Sequence, residues 1–245
     1  MTTLVVGASG ATGKHLVQQL LNMGQKVKVI IRSPEKAPEF WKNNNDISII
    51  KASVSEISED EMASYIKECH AVAFCLGHNL SFKGIYGKPR KLVTNAVRLV
   101  CTAIKKNQPQ NPVKFVLMNT TGNRNRDLKE PISVGERLII GLLRLLLPPH
   151  PDNEKAADFL RLKIGQADSL VEWVAVRPDT LIDEDIVQKY DIYESPIRSA
   201  LFNPGKTSRI NVGHFMAKLI SDNAIWIKWK GQMPVLYNKE TEQKK

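Results

Sequence analysis

The feature that most constrains the chain is its opening, "TTLVVGASGATGKHLVQQLLNMGQKVKVIIR". A β-branched apolar run stops at Gly7, and glycines recur at Gly10 and Gly13 before a segment with Leu16, Leu20 and Met23 at helical spacing. A short, wholly apolar run reads as a buried parallel strand, and the segment after it as an amphipathic helix ending on Gly24. Glycines at the strand end, in the turn and in the first helical turn each have a physical task. They permit a tight turn, close approach of a pyrophosphate, and close packing of helix on sheet. The helix N-terminus adds unpaired amide donors and partial positive charge.

The pattern continues. "KVKVIIR", "ISIIKA", "AVAFCLG", "VKFVLMNTTG" and "VEWVAVRP" read as further strands, with a helix expected over "GKPRKLVTNAVRLVCTAIKKN" and another over "NEKAADFLRLKIGQADSL". Strands alternating with helices predict a doubly wound parallel sheet of Rossmann type, with ligands at the carboxyl ends of its strands. We expect one domain over 1–238, with 179–238 supplying most of a small C-terminal, substrate-side lobe and 239–245 a flexible tail. Within the lobe, a helix is expected around "VGHFMAKLISD" and strands around "SRIN" and "MPVLYN".

The spacing G-x-x-G-x-x-G, rather than G-x-G-x-x-G, resembles the short-chain dehydrogenase/reductase superfamily. It is most similar to the atypical branch that includes NmrA-like regulators and biliverdin-reductase-B-like flavin reductases. The likeness runs through "AVAFCLG", "FVLMNTTG" and "VEWVAVRPDTL", and so along most of the chain. It implies that Gly7, Ser9, Gly10, Ala11, Thr12 and Gly13 hold a dinucleotide, that Ser53 and Val54 meet its adenine, and that Gly77 lets backbone pass beside its ribose. Where an NAD-specific chain carries an acid at the end of the second strand, this one has Arg32, then Ser33, with Lys36 close by. A guanidinium binds a 2′-phosphate that a carboxylate would repel, so NADP(H) is the expected cofactor.

The superfamily's Tyr-x-x-x-Lys is absent: Tyr65, Tyr86, Tyr190, Tyr193 and Tyr237 are followed four residues later by Cys, Arg, Glu, Ile and Thr. By resemblance Lys155 stands for the ribose-binding lysine, Pro151 occupies the tyrosine position, and Thr120 or Thr121 stands for the serine. His150 is a candidate proton donor. The chain therefore reads as a reductase of a small apolar or aromatic carbonyl, quinone or flavin-like acceptor. A dinucleotide-binding redox sensor with a protein partner is the second reading, and an isomerase or epimerase that uses bound cofactor catalytically, disfavoured without Tyr and Lys in register, the third.

The net charge of +10 suits an anionic ligand; basic residues are scattered and no nucleic-acid signature is present, so no nucleic-acid partner is expected. Three cysteines without a C-x-x-C pair suggest neither a disulfide framework nor a zinc site, and with a strand starting at once the cytoplasm is expected. The ten-residue run "LIIGLLRLLL" is about half a membrane span. It reads as a helix over the substrate cleft, with a homodimer interface or peripheral membrane contact as the other readings. Trp226 and Trp229 are expected to pack in the C-terminal part rather than to stack on bases.

Overall fold

The computed structural model describes residues 1–78 and 81–239, excepting the side chains of 83 and 84. The first half alternates strand and helix: β1 (Thr2–Val6), α1 (Ala11–Asn22), β2 (Lys26–Ile31), α2 (Glu39–Lys42), β3 (Ile47–Lys51), α3 (Glu59–Ile66) and β4 (Ala71–Phe74). Then come α4 (Phe82–Tyr86), α5 (Leu92–Asn107), β5 (Val113–Met118), α6 (Val134–Leu146), α7 (Pro149–Phe159) and β6 (Val171–Pro178). The remainder forms β7 (Thr180–Ile182), β8 (Tyr190–Tyr193), β9 (Lys206–Ser208), α8 (Arg209–Ser221), α9 (Asn223–Trp229) and β10 (Val235–Asn238).

The main sheet has the order β3-β2-β1-β4-β5-β6-β10-β8, and all its pairings are parallel except β10 with β8. This is the expected doubly wound sheet of Rossmann type. Alternate side chains bury to opposite faces, which is why its central strands are largely apolar. Leu4, Val6, Phe74 and Phe115 pack with α3, α5 and α7; Val5, Val29, Val116 and Val174 pack with α1, α8, Trp226 and Trp229. Gly213 on α8 permits a close crossing, since a Cβ there would lie 2.8 Å from the backbone nitrogen of Leu16 on α1.

Residues 179–238 serve the sheet as well as the lobe. β10 and β8 extend it, β7 and β9 pair beside it, and α8 covers it. The expected strand "SRIN" is a correction: only Ser208 is in β9, and the helix starts at Arg209. The Ser208 Oγ accepts from the Asn211 N–H and so opens α8 there. The helix expected from Asn153 begins four residues earlier, at Pro149, because proline suits a first helical turn. It passes through a π-helical turn, Leu160–Ile164, and stops at Gly165 with φ +72°. Of the expected tail, Lys239 donates its N–H to the Lys189 carbonyl, and 240–245 lie outside the described residues.

Candidate functional site

The glycine loop is constrained by backbone on all sides. Gly7 has φ +80°, and a Cβ on it would lie 2.6 Å from the carbonyl carbon of Cys75 at the end of β4. On Gly13 a Cβ would stand 2.2 Å from the Gly7 carbonyl oxygen, the same oxygen that accepts from the Gly10 N–H at 3.0 Å. Gly10 is the N-cap of α1; it brings no side-chain cap, and no acid occupies the first turn. Ser9, Gly10 and Ala11 are exposed while Thr12 and Gly13 are buried. The first amides of α1 thus keep their donors for an outside anion, which is the chemistry a pyrophosphate requires.

Arg32 is exposed immediately after β2. Lys51 pairs in register with Ile31, and Lys36 lies in the turn that follows, so basic groups gather at the ends of β2 and β3. Glu35 sits among them; hydrogen bonding to its own backbone and to Ser33, with help from Lys51 and Lys36, holds its carboxyl below the ordinary range. Ser53 is half-buried with its Oγ 3.0 Å from that of Ser55, and Val54 packs on the core. Gly77 differs from Gly7: a Cβ there would meet nothing within 4 Å. Among the described residues, packing does not demand that glycine.

After Gly77, His78 is buried, and its Nε2 lies 2.8 Å from Asp152 Oδ2. The same carboxylate accepts from the N–H groups of Val93 and Thr94 at 2.8 and 3.1 Å, so α7 caps α5. The second anchor of α7 is its Asn153 carbonyl, which accepts from Nδ2 of Asn119 at 3.0 Å, just past β5.

A cleft of about 710 Å³ opens between the segment after β5, α6, the start of α7 and residues 196–201. Thr120 and His150 face each other across Gly122: a Cβ built there would lie 3.6 Å from His150 Cε1 and 3.9 Å from Thr120 Oγ1. His150 Nε2 is buried without a hydrogen-bond partner, 3.6 Å from Glu154 Oε1. Burial lowers its pKa; Glu154 pulls it up and Arg144 pushes it down. Asp179, also in the cleft, accepts from the N–H groups of Thr180 and Gly205, yet burial still raises its pKa. Behind the wall, buried Arg177 pairs with Glu130 through two contacts, 2.6 and 3.0 Å, and donates to the Asn123, Met233 and Glu194 carbonyls. That network ties the segment after β5 to the end of β6.

The apolar run is the expected helix over the cleft, and it is two-faced. Ile140 and Leu143 line the cleft. Leu138, Leu142, Leu145 and Leu146 are 71%, 54%, 79% and 51% exposed and face outward. Lys155 is exposed on α7 and does not line the cleft; it follows Asp152 by three residues, on the strip that starts at Pro151. The structure brings Thr120 and His150 together and leaves Lys155 outside that cleft. Sequence reasoning missed His78, Asp152 and Asp179. His78 directly follows the singled-out Gly77 and Asp179 directly follows the strand-ending Pro178, so both were findable; Asp152 carried no local signal. Among the described residues, no group of three or more His, Cys, Asp or Glu side chains could hold a metal ion, and no helix is long and apolar enough to cross a membrane.

A family model described as NAD(P)H-binding matches residues 7–223. An uncharacterized chloroplastic protein of Arabidopsis thaliana is 38% identical over 71 residues, which make up 29% of this chain and 25% of that protein. The chain therefore spans about a quarter of that relative's length. Among solved structures, the oxidoreductase YlbE of Lactococcus lactis matches with TM-score 0.69 and 18% identity, covering 98% of this chain and 92% of that one. The anaerobilin reductase ChuY of Escherichia coli O157:H7 matches with TM-score 0.68 and 15% identity, covering 99% of both. A short-chain dehydrogenase/reductase of Veillonella parvula, solved with NADP, matches with TM-score 0.69 and 13% identity, covering 98% and 95%. These distant structures share the fold. The family match covers the glycine loop and every strand from β2 to β9, and the chain belongs to the NAD(P)H-binding family.

Proposed function

We propose that the chain is an NADP(H)-dependent reductase of a small apolar or aromatic carbonyl, quinone or flavin-like acceptor. The observation that carries the reading is the cleft in which Thr120 and His150 flank one point above Gly122 while Ile140 and Leu143 supply an apolar wall. When bound, the nicotinamide supplies a hydride. The chain's own groups do the rest. The first amides of α1, with Gly7 and Gly13 clearing the way, hold the pyrophosphate, and Arg32 with Ser33 takes the 2′-phosphate. Ser53 and Val54 border the adenine, Gly77 leaves room for the ribose, and the Lys155 ammonium donates to its hydroxyls.

At the acceptor, the Thr120 hydroxyl donates to the oxygen or nitrogen that gains charge, and His150 is the proton donor. Burial favours its neutral imidazole, so the protonated form that can give up a proton accumulates as pH falls. The absence of Tyr before Lys155 gives the sensor reading a specific basis, since Pro151 can hold no proton. NADPH oxidation across quinones, flavins, aldehydes and ketones, run beside a binding titration, separates the two. Turnover supports the reductase, tight binding without turnover the sensor, and failure to bind either dinucleotide overturns both.

A further inference from the structure

The outward face of α6 is an apolar feature that the cleft does not use. At about 100° per residue, Val134, Leu138, Ile139, Leu142, Leu145 and Leu146 share one arc of about 140°, with no charged residue among them. Val134 and Leu145 are 74% and 79% exposed. Phe202, 61% exposed, extends the patch, because it packs beside Gly135 at the N-terminal end of the helix. The patch is bordered on one side by Arg137 and Arg144, both exposed; Glu154 holds the Arg144 guanidinium through Nε and Nη2, and Arg137 has no acid against it among the described residues. The helix's one acid, Glu136, turns inward: it lines the cleft and bonds to Ser199 and Ser133.

We infer that α6 docks this protein on an anionic membrane surface, lying in the plane of the interface. The charge pattern selects this occupant. Two copies joined α6 to α6 would bring two Arg137 side chains together with no acid among the described residues to meet them, and the whole chain carries +10. A lipid surface with negative headgroups meets Arg137 and accepts the leucines. The 13-residue helix is about 20 Å long, shorter than the hydrocarbon core, so it lies on the bilayer rather than through it.

The test floats the full chain with phosphatidylcholine vesicles, with and without phosphatidylglycerol. We expect association with the anionic vesicles that added salt weakens. Leu138→Ser with Leu145→Ser should lower that association about tenfold or more, and Arg137→Gln should weaken it on anionic vesicles only. Both variants change exposed side chains, so their circular dichroism and NADPH binding should match the parent's. The inference falls if the parent binds neither vesicle, or if the leucine variant binds as the parent does. It also falls if sedimentation shows a parent dimer that this variant converts to monomer. Cofactor binding is a separate readout, so either result leaves the proposed function standing or falling by itself.

Discussion

The carboxylate of Asp152 on α7 stands 2.8 Å from Nε2 of His78 after β4 and also caps α5 through the N–H groups of Val93 and Thr94. One buried side chain thereby fixes three segments that border the proposed cofactor and substrate spaces. Truncating it leaves two buried amides unmet and takes one partner from a buried imidazole. Asp152→Ala should cost about 3 kcal/mol in urea denaturation. Asp152→Asn keeps an acceptor and should cost less. Equal stability of all three proteins would show that the carboxylate carries none of this load.

Gly13 and Gly77 provide a contrast. A Cβ on Gly13 would press on the carbonyl oxygens of Gly7 at 2.2 Å and Ala8 at 2.8 Å, none of which is a side chain able to swing aside. Gly13→Ala should therefore destabilise the fold by about 1–3 kcal/mol and weaken NADPH and NADH alike, because the loop must move. At Gly77 a Cβ meets nothing within 4 Å. Gly77→Ala should keep stability within about 0.5 kcal/mol while lowering dinucleotide affinity. Paired thermal melts and titrations check both; unchanged affinity in Gly77→Ala would remove that residue from the cofactor site.

The proposed role of His150 predicts a pH dependence with a definite sign. Burial holds its pKa below the ordinary value of 6.5, so the charged donor accumulates only as pH falls through that lowered value. The rate of acceptor reduction at saturating NADPH should rise toward acid, and His150→Gln should flatten the profile and lower the rate about a hundredfold. The same depressed pKa means that the unfolded chain binds this proton more readily. Stability therefore also declines as pH falls below 6.5, and rates are compared only where circular dichroism is constant. A parent profile matching that of His150→Gln would exclude the proton transfer.

How far the fold was legible follows from where its determinants lie in the chain. The β1–α1 unit could be read because strand, glycine turn and amphipathic helix are contiguous, and Gly24 ends α1 with φ +72° as its position suggested. Around residue 208 a strand is expected over residues 208–211, and the Ser208 cap decides for helix. The two faces of α6 were illegible for another reason: a run rich in leucine on all sides does not say which ones meet the cleft until residues 196–201 are folded over it. Asp152 owes its setting to a long-range neighbour, Val93, that no spacing in the sequence announces.

The proposed preference for NADP(H) rests on Arg32, exposed at the end of β2 where an acid would otherwise bind the ribose 2′-hydroxyl. Lys51, paired beside Ile31, and Lys36 make the surroundings basic, and Glu35 is held ionised among them. A charged hydrogen bond contributes about 1.5–3 kcal/mol, so Arg32→Ala should reduce NADPH affinity roughly ten- to a hundredfold. NADH lacks the 2′-phosphate and should bind this variant as it binds the parent. Arg32→Asp should reverse the preference, because the carboxylate repels the phosphate and accepts from the 2′-hydroxyl of NADH. The neighbouring lysines predict a residual attraction for NADPH in Arg32→Ala that high salt removes. Calorimetric titration of the three proteins with both dinucleotides decides the matter: equal losses for NADPH and NADH, or no loss for either, would return Arg32 to the solvated surface.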